Sequence, residues 1–240
     1  MTLLLPNGSK IADHVLLRTD DLLIVNKPSG IAVHASGRTD THLGLYWDQL
    51  RFERLESPEL AHRLDRETSG CLLLGRHKAA LKKLGALFAH GRVRKTYWAV
   101  VVGQTPGESG VIDAPLAKQE AKYGWRMKVD PKNGQPSVTE WRRLGQTSRL
   151  TWIECHPRTG RTHQLRVHLA SIGLPIVGDS VYGQGTADMV ADRLHLHARS
   201  LAFRMHPRQD DITATAPPPE HMLALLTECG WGTEGHRHEP

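Results

Sequence analysis

The residues best placed to do chemistry surround one carboxylate. Asp65 lies between Arg63 and Arg66 in a segment of charged and turn-forming residues, His62–Gly70. A neighbouring guanidinium keeps a carboxylate ionised, as a nucleophile or a general base must be. The same residues would also suit a surface carboxylate that caps a turn and pairs with its neighbours. Asp65 is therefore a candidate catalytic residue, with the second interpretation still open.

A second group of residues lies at the start of a predicted helix, Thr162–Ile172. Arg161 stands just before this helix, where free backbone N–H groups favour contact with an anion. Arg166 shares one helical face with Leu165 and Leu169. We therefore expect its guanidinium to be partly buried and to need a carboxylate partner. The alternative is a helix end whose basic side chains are solvated.

The fifteen histidines invite the hypothesis of a metal site. His195 and His197 would share one face of a strand, but no third ligand stands at a recognisable spacing. The patterns HExxH and CxxC…H are also absent, so we predict no metal. The chain has no GxxxxGKS or GxxxxGKT, no GxGxxG after a predicted strand and no GxSxG. Nucleotide cofactors and serine hydrolysis therefore have no motif support.

The net charge of +6 is unevenly spread along the chain. Residues 61–100 carry nine Lys or Arg against two Asp or Glu, and residues 118–170 carry eleven against four, so each block has a net charge of +7. Lys and Arg release condensed counterions when they contact phosphates, so such blocks are typical of a surface that binds nucleic acid. Solvated basic faces would give the same pattern. In the first block, the cations predicted to contact phosphates are Lys82, Lys83, Arg92 and Arg94.

The composition is that of a globular protein in a reducing compartment. Of the 240 residues, 39% are apolar and 23% are charged, which is ordinary for a folded domain. Apolar runs such as Tyr97–Val102 are too short to span a membrane, which takes about 20 residues, and no signal peptide is visible. Three cysteines without a CxxC pair argue against a disulfide framework. We therefore expect a cytoplasmic protein that does not contact membranes.

Hydrophobic periodicity predicts more strands than helices. The predicted strands are Asp21–Val25, Cys71–Leu74, Arg94–Val102, Ser137–Arg143, Arg149–Cys155, Leu194–Ala198 and Leu201–Arg204. The predicted helices are Thr39–Leu50, Lys78–His90, Thr162–Ile172 and Glu220–Cys229. Most connections are too short for parallel crossovers, so we predict an α+β fold with a mixed, mainly antiparallel sheet and flanking helices. Lys95 and Tyr97 would share one face of their strand.

Five ordered motifs resemble those of the RluA-type family of RNA pseudouridine synthases, and together they span about residues 20–205. The motifs are Asn26–Gly30 (NKPSG), His62–Gly70 (HRLDRETSG), Lys95–Ala99 (KTYWA), Thr159–His168 (TGRTHQLRVH) and Pro175–Asp179 (PIVGD). The resemblance implies the pseudouridine synthase fold, with a catalytic cleft across the middle of the sheet. It also implies an isomerase that needs neither a cofactor nor a metal.

Carried over position by position, the resemblance assigns roles to individual residues. Asp65 would be the catalytic aspartate, Arg166 its basic partner and Tyr97 the residue that contacts the target base. The Arg166 guanidinium would then lie within about 4 Å of the Asp65 carboxylate, the range of an ion pair. Leu165 would pack in the pocket, and Arg63 would help to hold the place of the flipped nucleotide. The other residues of these motifs predicted to bind RNA are His62, Lys95 and Arg161.

The first motif begins near residue 21, which leaves no room for the S4-like RNA-binding domain that many relatives carry. We therefore expect one catalytic domain at 1–230 and a mobile tail at 231–240. We also expect a monomer that acts on structured RNA, either a tRNA or an rRNA stem-loop. Two other classes stay open: a non-catalytic RNA-binding protein on the same fold, and a metal-dependent hydrolase that uses Asp65 and histidines. Intact Asp65, Tyr97 and Arg166 argue against the first of these.

Overall fold

A computed structural model describes residues 3–35, 41–121, 124–183, 185, 187 and 190–232. The chain divides into two compact units, each made of two segments. The first unit comprises Met1–Arg94 and Ala198–Pro217, and the second comprises Lys95–His197 and Pro218–Pro240. The single catalytic domain expected at 1–230 stays a prediction. Of the tail expected at 231–240, residues 233–240 lie outside the described residues.

Short strands predominate over helices in both units. In chain order the elements are β1 (Val15–Arg18), β2 (Leu22–Lys27), β3 (Glu59–Leu60), β4 (Ser69–Gly75), α1 (Lys78–Ala89), β5 (Arg94–Val102), β6 (Ser109–Asp113), β7 (Leu116–Ala121), β8 (Gly124–Val129), β9 (Val138–Gln146), β10 (Leu150–Pro157), α2 (Gln164–Ser171), β11 (Leu196–Phe203), β12 (Ile212–Thr215) and α3 (Glu220–Glu228). Two 3-10 helices cover Ile11–His14 and Leu43–Leu50. The α+β fold with a mainly antiparallel sheet is confirmed.

In the first unit the strands run in the order β1-β2-β4-β11, with β3 against β4 and β12 against β11. β2 and β4 are antiparallel, with Lys27 opposite Gly70. Both strands are almost wholly buried because apolar residues occupy both of their faces. α1 packs Leu84 and Leu87 into the same core. The register of β2 and β4 therefore brings the NKPSG segment alongside the end of the segment that carries Asp65.

In the second unit the strands run in the order β5-β10-β9-β6, and β7 and β8 form a separate two-stranded hairpin. All of these pairs are antiparallel. Cys155 of β10 lies opposite Tyr97 of β5, so the chain leaves β10 for α2 close to that tyrosine. α3 packs Met222 into a core with Trp98 and Trp152. These two indole rings meet edge to face at 4.8 Å between their centroids.

Most of the predicted elements are confirmed, and the helix Lys78–His90 is the clearest example. α1 covers nearly the same residues and buries Leu84 and Leu87 on the predicted face. It ends before Gly91, which has a φ of +64° and suits the left-handed conformation that often follows a helix. In the described part of the chain, no helix is long and apolar enough to cross a membrane.

The two strands predicted at Leu194–Ala198 and Leu201–Arg204 are wrong, because the structure has one continuous strand there. β11 continues through the polar residues Arg199 and Ser200, because their backbone lies in a strand that pairs with β12. Ser200 lies opposite Thr215 in that pairing.

The helix predicted at Thr39–Leu50 is a 3-10 helix that begins at Leu43, and residues 39–40 lie outside the described residues. It buries Leu43, Trp47 and Leu50, as predicted. Six strands were not predicted, because they are short or carry polar side chains in place of an apolar run. They are β1, β3, β6, β7, β8 and β12.

Gly70, in β4, is expected to tolerate no side chain. Its φ is +105°, and a Cβ atom there would clash with the backbone carbonyl of Ala198. Gly70→Ala should therefore lower the free energy of unfolding, measured in urea, by about 2 kcal/mol or more, since backbone strain alone costs about 1–3 kcal/mol.

The matched control is Gly85→Ala in α1, where an added Cβ meets nothing within 4 Å. This variant should be more stable than the wild type by up to about 1 kcal/mol, because Ala is the better helix former. A Gly70→Ala protein as stable as the wild type would contradict the close approach of β4 to Ala198.

Candidate active site

A buried lysine holds the loop that carries Asp65 through hydrogen bonds to backbone carbonyls. The Lys27 side chain is fully buried, and its Nζ donates to three carbonyl oxygens: Pro28 at 2.8 Å, Ile31 at 2.8 Å and Arg66 at 2.9 Å. An ammonium group has three N–H donors, so this arrangement uses all of them. One of the three bonds reaches the residue directly after Asp65, and Lys27 therefore positions the loop.

The rest of the NKPSG motif adds two more bonds to the same loop. The Gly30 N–H donates to the Arg66 carbonyl at 3.0 Å, and the Ser29 hydroxyl donates to the Glu67 carbonyl at 2.7 Å. Burial lowers the pKa of Lys27 to about 7, and the negative charges of Glu67 and Asp65 act in the opposite direction. The three carbonyl acceptors around Nζ favour the charged form of Lys27, and this charge lies next to a loop that carries two carboxylates.

The loop is also anchored by its own side chains. Leu64, Thr68 and Ser69 are buried, and the Thr68 N–H donates to the Asp65 carbonyl at 3.2 Å. This bond closes a turn that leaves the Asp65 side chain half-buried. Arg66, which was considered as a partner of Asp65, pairs with Glu67 at 2.6 Å.

His62 lies on the inner side of this segment. Its ring stacks on Phe88 at 4.7 Å between centroids, and its Nε2 accepts the backbone N–H of Leu73 at 3.0 Å. These contacts tie the loop to α1 and β4. The predicted contact of His62 with RNA stays a prediction.

In the second unit, Tyr97 and Leu165 belong to one apolar cluster. Leu165 is 6% exposed, while Tyr97 is half-buried against the cluster. Lys95, two residues earlier on β5, donates from Nζ to the Thr159 carbonyl at 2.9 Å. Burial lowers the pKa of Lys95 to about 8. Lys95 therefore holds the TGRT segment against β5, and its predicted contact with RNA remains untested.

The start of α2 is fixed by a buried amide. The Gln164 Oε1 accepts from the Thr159 hydroxyl at 2.7 Å and from the Arg161 N–H at 3.0 Å. Its Nε2 donates to the Val138 carbonyl and to the Thr139 hydroxyl, each at 3.0 Å. Sequence reasoning did not single out Gln164, although it lies inside the TGRTHQLRVH motif. Its four bonds join β9, the TGRT segment and α2 into one rigid support.

Arg166 is buried and paired with a carboxylate, as predicted. Arg166 is 6% exposed. Its guanidinium forms a bidentate pair with Asp179, with Nε–Oδ2 at 2.8 Å and Nη2–Oδ1 at 2.7 Å. Asp179 also accepts the backbone N–H groups of Val181 and Tyr182, each at 3.0 Å. Burial alone would raise the pKa of Asp179, but the bonds and the charge of Arg166 outweigh it, so the pKa is lowered.

The predicted pairing of Arg166 with Asp65 stays a prediction, because the two residues belong to different units. Asp179 lies in the quoted PIVGD motif but was not named as a site residue. A buried arginine requires an acidic partner, but no sequence pattern marks which carboxylate that is.

The basic rim, which we define as the predicted phosphate-contacting residues Lys82, Lys83, Arg92 and Arg94, contains both exposed and paired cations. Lys82 and Arg92 are exposed, while Lys83 Nζ lies 2.8 Å from His206 Nδ1. Arg63 and Arg161, which belong to the sequence motifs, are also exposed.

Arg94 pairs with Asp211 at 2.7 Å, and Arg204 pairs with the same carboxylate at 2.9 Å. Lys83 and Arg94 thus contact His206 and Asp211, which lie in the connection between β11 and β12. The β11–β12 turn was not part of the predicted rim.

The two histidines considered as metal ligands are buried. The His195 Nδ1–H donates to the Arg193 carbonyl at 2.8 Å, and its ring meets His221 edge to face at 5.3 Å. Within the ranges that the structure describes, no three His, Cys, Asp or Glu side chains are grouped so that they could hold a metal ion.

Comparison with known proteins gives consistent results. The sequence profile of the family described as RNA pseudouridylate synthase matches residues 21–171. The chain is 40% identical to an uncharacterized RNA pseudouridine synthase of Zymomonas mobilis, over 90% of this chain and 98% of that protein. It is also 40% identical to the ribosomal large subunit pseudouridine synthase C of Vibrio cholerae, over 92% of this chain and 71% of that protein.

Two solved human structures have similar folds. RNA pseudouridylate synthase domain containing 4 superposes with a TM-score of 0.73 and 29% identity, covering 91% of this chain and 94% of that one. RNA pseudouridylate synthase domain containing 1 superposes with a TM-score of 0.70 and 27% identity, covering 90% of this chain and 86% of that one.

The Arg166–Asp179 pair predicts a large loss of stability when its carboxylate is removed. Asp179→Asn would leave a buried guanidinium without its charged partner, which costs about 3–5 kcal/mol. Chemical unfolding should show a loss of this size. Asp211→Asn removes a carboxylate that also contacts two arginines, but near the surface, and should cost much less, because solvent screens exposed ion pairs. Equal losses in the two variants would show that the Asp179 pair is not a buried support.

Proposed function

The chain belongs to the RNA pseudouridylate synthase family, and from this premise we propose that it isomerises specific uridines of a ribosomal RNA with Asp65 as the catalytic carboxylate and without a cofactor. The membership makes it an isomerase that converts uridine in RNA to pseudouridine. The observation that carries the proposal for Asp65 is the support of its loop, where the buried Lys27 ammonium binds the Arg66 carbonyl.

The reaction explains why one fixed carboxylate is sufficient. The N1–C1′ bond of uridine breaks, the uracil turns and C5 joins C1′, while C5 loses a proton and N1 gains one. An ionised carboxylate can attack C1′ as a nucleophile or remove a proton from the ribose as a base. Both routes require that Asp65 is anionic and held at a fixed place. The bonds from Lys27, Ser29 and Gly30 to the loop provide that fixed place.

Arg166 and Tyr97 are proposed to complete the site from the second unit. The buried pair with Asp179 fixes the Arg166 guanidinium, which we propose as the basic partner of Asp65. Tyr97 is proposed to stack on the loosened uracil, with Leu165 forming the apolar wall behind it. A planar aromatic ring can hold a base through rotation, since stacking does not depend on one set of hydrogen bonds.

The target base must first leave the RNA stack, which costs a few kcal/mol. Arg63 is exposed at the start of the Asp65 loop and is proposed to occupy the space left by the flipped nucleotide. The exposed cations of the basic rim would supply the phosphate contacts that offset the cost of flipping.

The choice of ribosomal RNA over tRNA rests on relatives of this chain. The Vibrio cholerae protein is named for the large ribosomal subunit, and it matches 92% of this chain. A Vibrio parahaemolyticus protein with the same name matches 90% at 39% identity. We propose that the substrate is a stem-loop of large-subunit rRNA, with tRNA as the alternative that an experiment must exclude.

Asp65→Asn should abolish pseudouridine formation while folding and RNA affinity stay close to those of the wild type. Tritium release from RNA labelled at uridine C5 measures the activity. Mapping of pseudouridines in cells that carry each protein identifies the RNA, and only wild-type cells should show the modified site in large-subunit rRNA. Activity within about tenfold of the wild type, about 1.4 kcal/mol in the barrier, would contradict the role of Asp65.

The matched control is Glu67→Gln, a carboxylate two residues away in the same loop. Its side chain pairs with Arg66, and its backbone carbonyl, which accepts from Ser29, is unchanged by the substitution. Glu67→Gln should retain activity within about tenfold. A pseudouridine mapped to tRNA in place of rRNA would contradict the proposed substrate without affecting Asp65.

The double variant Lys82→Glu/Lys83→Glu should weaken binding to all RNAs alike. Each lost phosphate contact should also reduce the slope of log K against log salt by about 0.7–0.9. Salt titrations of binding to two unrelated RNAs measure both effects. Lys10→Glu/Arg54→Glu changes the net charge equally, from exposed residues outside the basic blocks, and should leave the slope almost unchanged. An unchanged slope and affinity in the first variant would remove α1 from the RNA-binding surface.

A further inference from the structure

One face of the β7–β8 hairpin packs against α2 near Met127 and is exposed to solvent near Trp125. Lys118 lies opposite Met127, and Glu120 lies opposite Trp125, so these four side chains point to the same face. Met127 packs with Val167 and Tyr182 next to α2. Further along this face, Trp125 has 44% of its surface exposed.

Trp125 is held in place although it is exposed. Its indole stacks on the His163 ring, with 5.5 Å between centroids and 21° between planes. His163 adopts a left-handed backbone conformation, with a φ of +53°, and its Nδ1 lies 2.8 Å from the Tyr182 hydroxyl. The same hydroxyl accepts the backbone N–H of Met127 at 3.0 Å. Trp125 is thus supported by α2, by Tyr182 and by its own strand.

Tyr182 also contacts two residues of the candidate active site, Arg166 and Asp179. The Tyr182 ring lies 5.1 Å from the Arg166 guanidinium carbon, and the Tyr182 N–H binds Asp179. Trp125, His163, Tyr182 and Arg166 therefore form a contiguous series within the second unit. Three contacts, Trp125–His163, His163–Tyr182 and Tyr182–Arg166, join the indole to the guanidinium.

The charged neighbours of Trp125 on its own face of the hairpin are Lys118 and Glu120, and both are exposed. Lys118 Nζ lies 5.2 Å from the centre of the indole ring. Arg126 and Lys128 are on the opposite face of the hairpin, and Arg126 is exposed. Proteins that bind single-stranded nucleic acid combine such cations, which contact phosphates, with aromatic rings on which unpaired bases stack.

We propose that Trp125, backed by His163, is a stacking platform for an unpaired base of the RNA substrate other than the target uridine. The proposal rests on the proposed function, and it assigns to the β7–β8 hairpin a part in choosing the RNA. Because only unpaired bases can stack on the indole, the platform selects loops and bulges over continuous duplex. Trp125 touches substrate in this proposal but takes no part in bond making.

The test compares Trp125→Ala with Trp125→Phe on a stem-loop RNA and on a fully paired duplex of the same length. Trp125→Ala should raise the Kd for the stem-loop about 5- to 150-fold, the range for loss of one stacked base, and leave the Kd for the duplex unchanged. Trp125→Phe should restore most of the affinity. The melting temperature should stay close to the wild-type value in both variants.

A second measurement separates stacking from a structural role. The fluorescence of 2-aminopurine, placed in turn at each unpaired loop position, should be quenched at one position by the wild type and not by Trp125→Ala. Equal Kd values for Trp125→Ala and the wild type, an equal loss for duplex, or quenching unaffected by the substitution would overturn the proposal. These binding results do not depend on catalysis, so an active Asp65→Asn protein would refute the proposed catalytic role and leave the platform standing.

Discussion

The hydrogen bonds of the buried Lys27 ammonium are the interaction on which the Asp65 loop depends. Removing an ammonium from water costs several kcal/mol even after relaxation. Hydrogen bonds to a charged group contribute about 1.5–3 kcal/mol each, so the three carbonyl acceptors of Lys27 offset a cost of that size. They do so only while Pro28, Ile31 and Arg66 hold their places. The loop conformation and the burial of this charge are therefore mutually dependent.

The second unit also holds a buried cation in a fixed place, but its partner is a carboxylate. Arg166 is buried with a carboxylate in place of carbonyls, and Asp179 is in turn fixed by two backbone N–H groups. Asp65 and Arg166 are thus each supported by a residue in another motif. Lys27 supports the loop of Asp65, Asp179 supports Arg166, and Lys95 and Gln164 fix the segment that leads into α2. Most residues in the five motifs position the site without reacting in it.

This division explains what could be predicted from the sequence. The elements β2, β4, β5 and α1 follow from local apolar patterns, and the burial of Arg166 follows from its apolar neighbours on one helical face. The partner of Arg166 lies 13 residues away beyond a turn, and no local pattern marks it. The unbroken course of β11 depends in the same way on pairing with β12. Trp125 carried no signal, because its role depends on the ring of His163.

In the proposed mechanism no cofactor stabilises the charge that develops during the reaction, so the side chains of the site must do so from fixed positions. Charge that develops on the ribose or the base must be met by groups already oriented before reaction, since reorienting them would add to the barrier. A surface carboxylate on a free loop would lose that advantage to water. In the proposed mechanism, phosphate contacts from the basic rim would hold the RNA without reading its sequence. Selectivity would then come from bases that leave their stacks, and Tyr97 and Trp125 are the aromatic rings proposed to receive them.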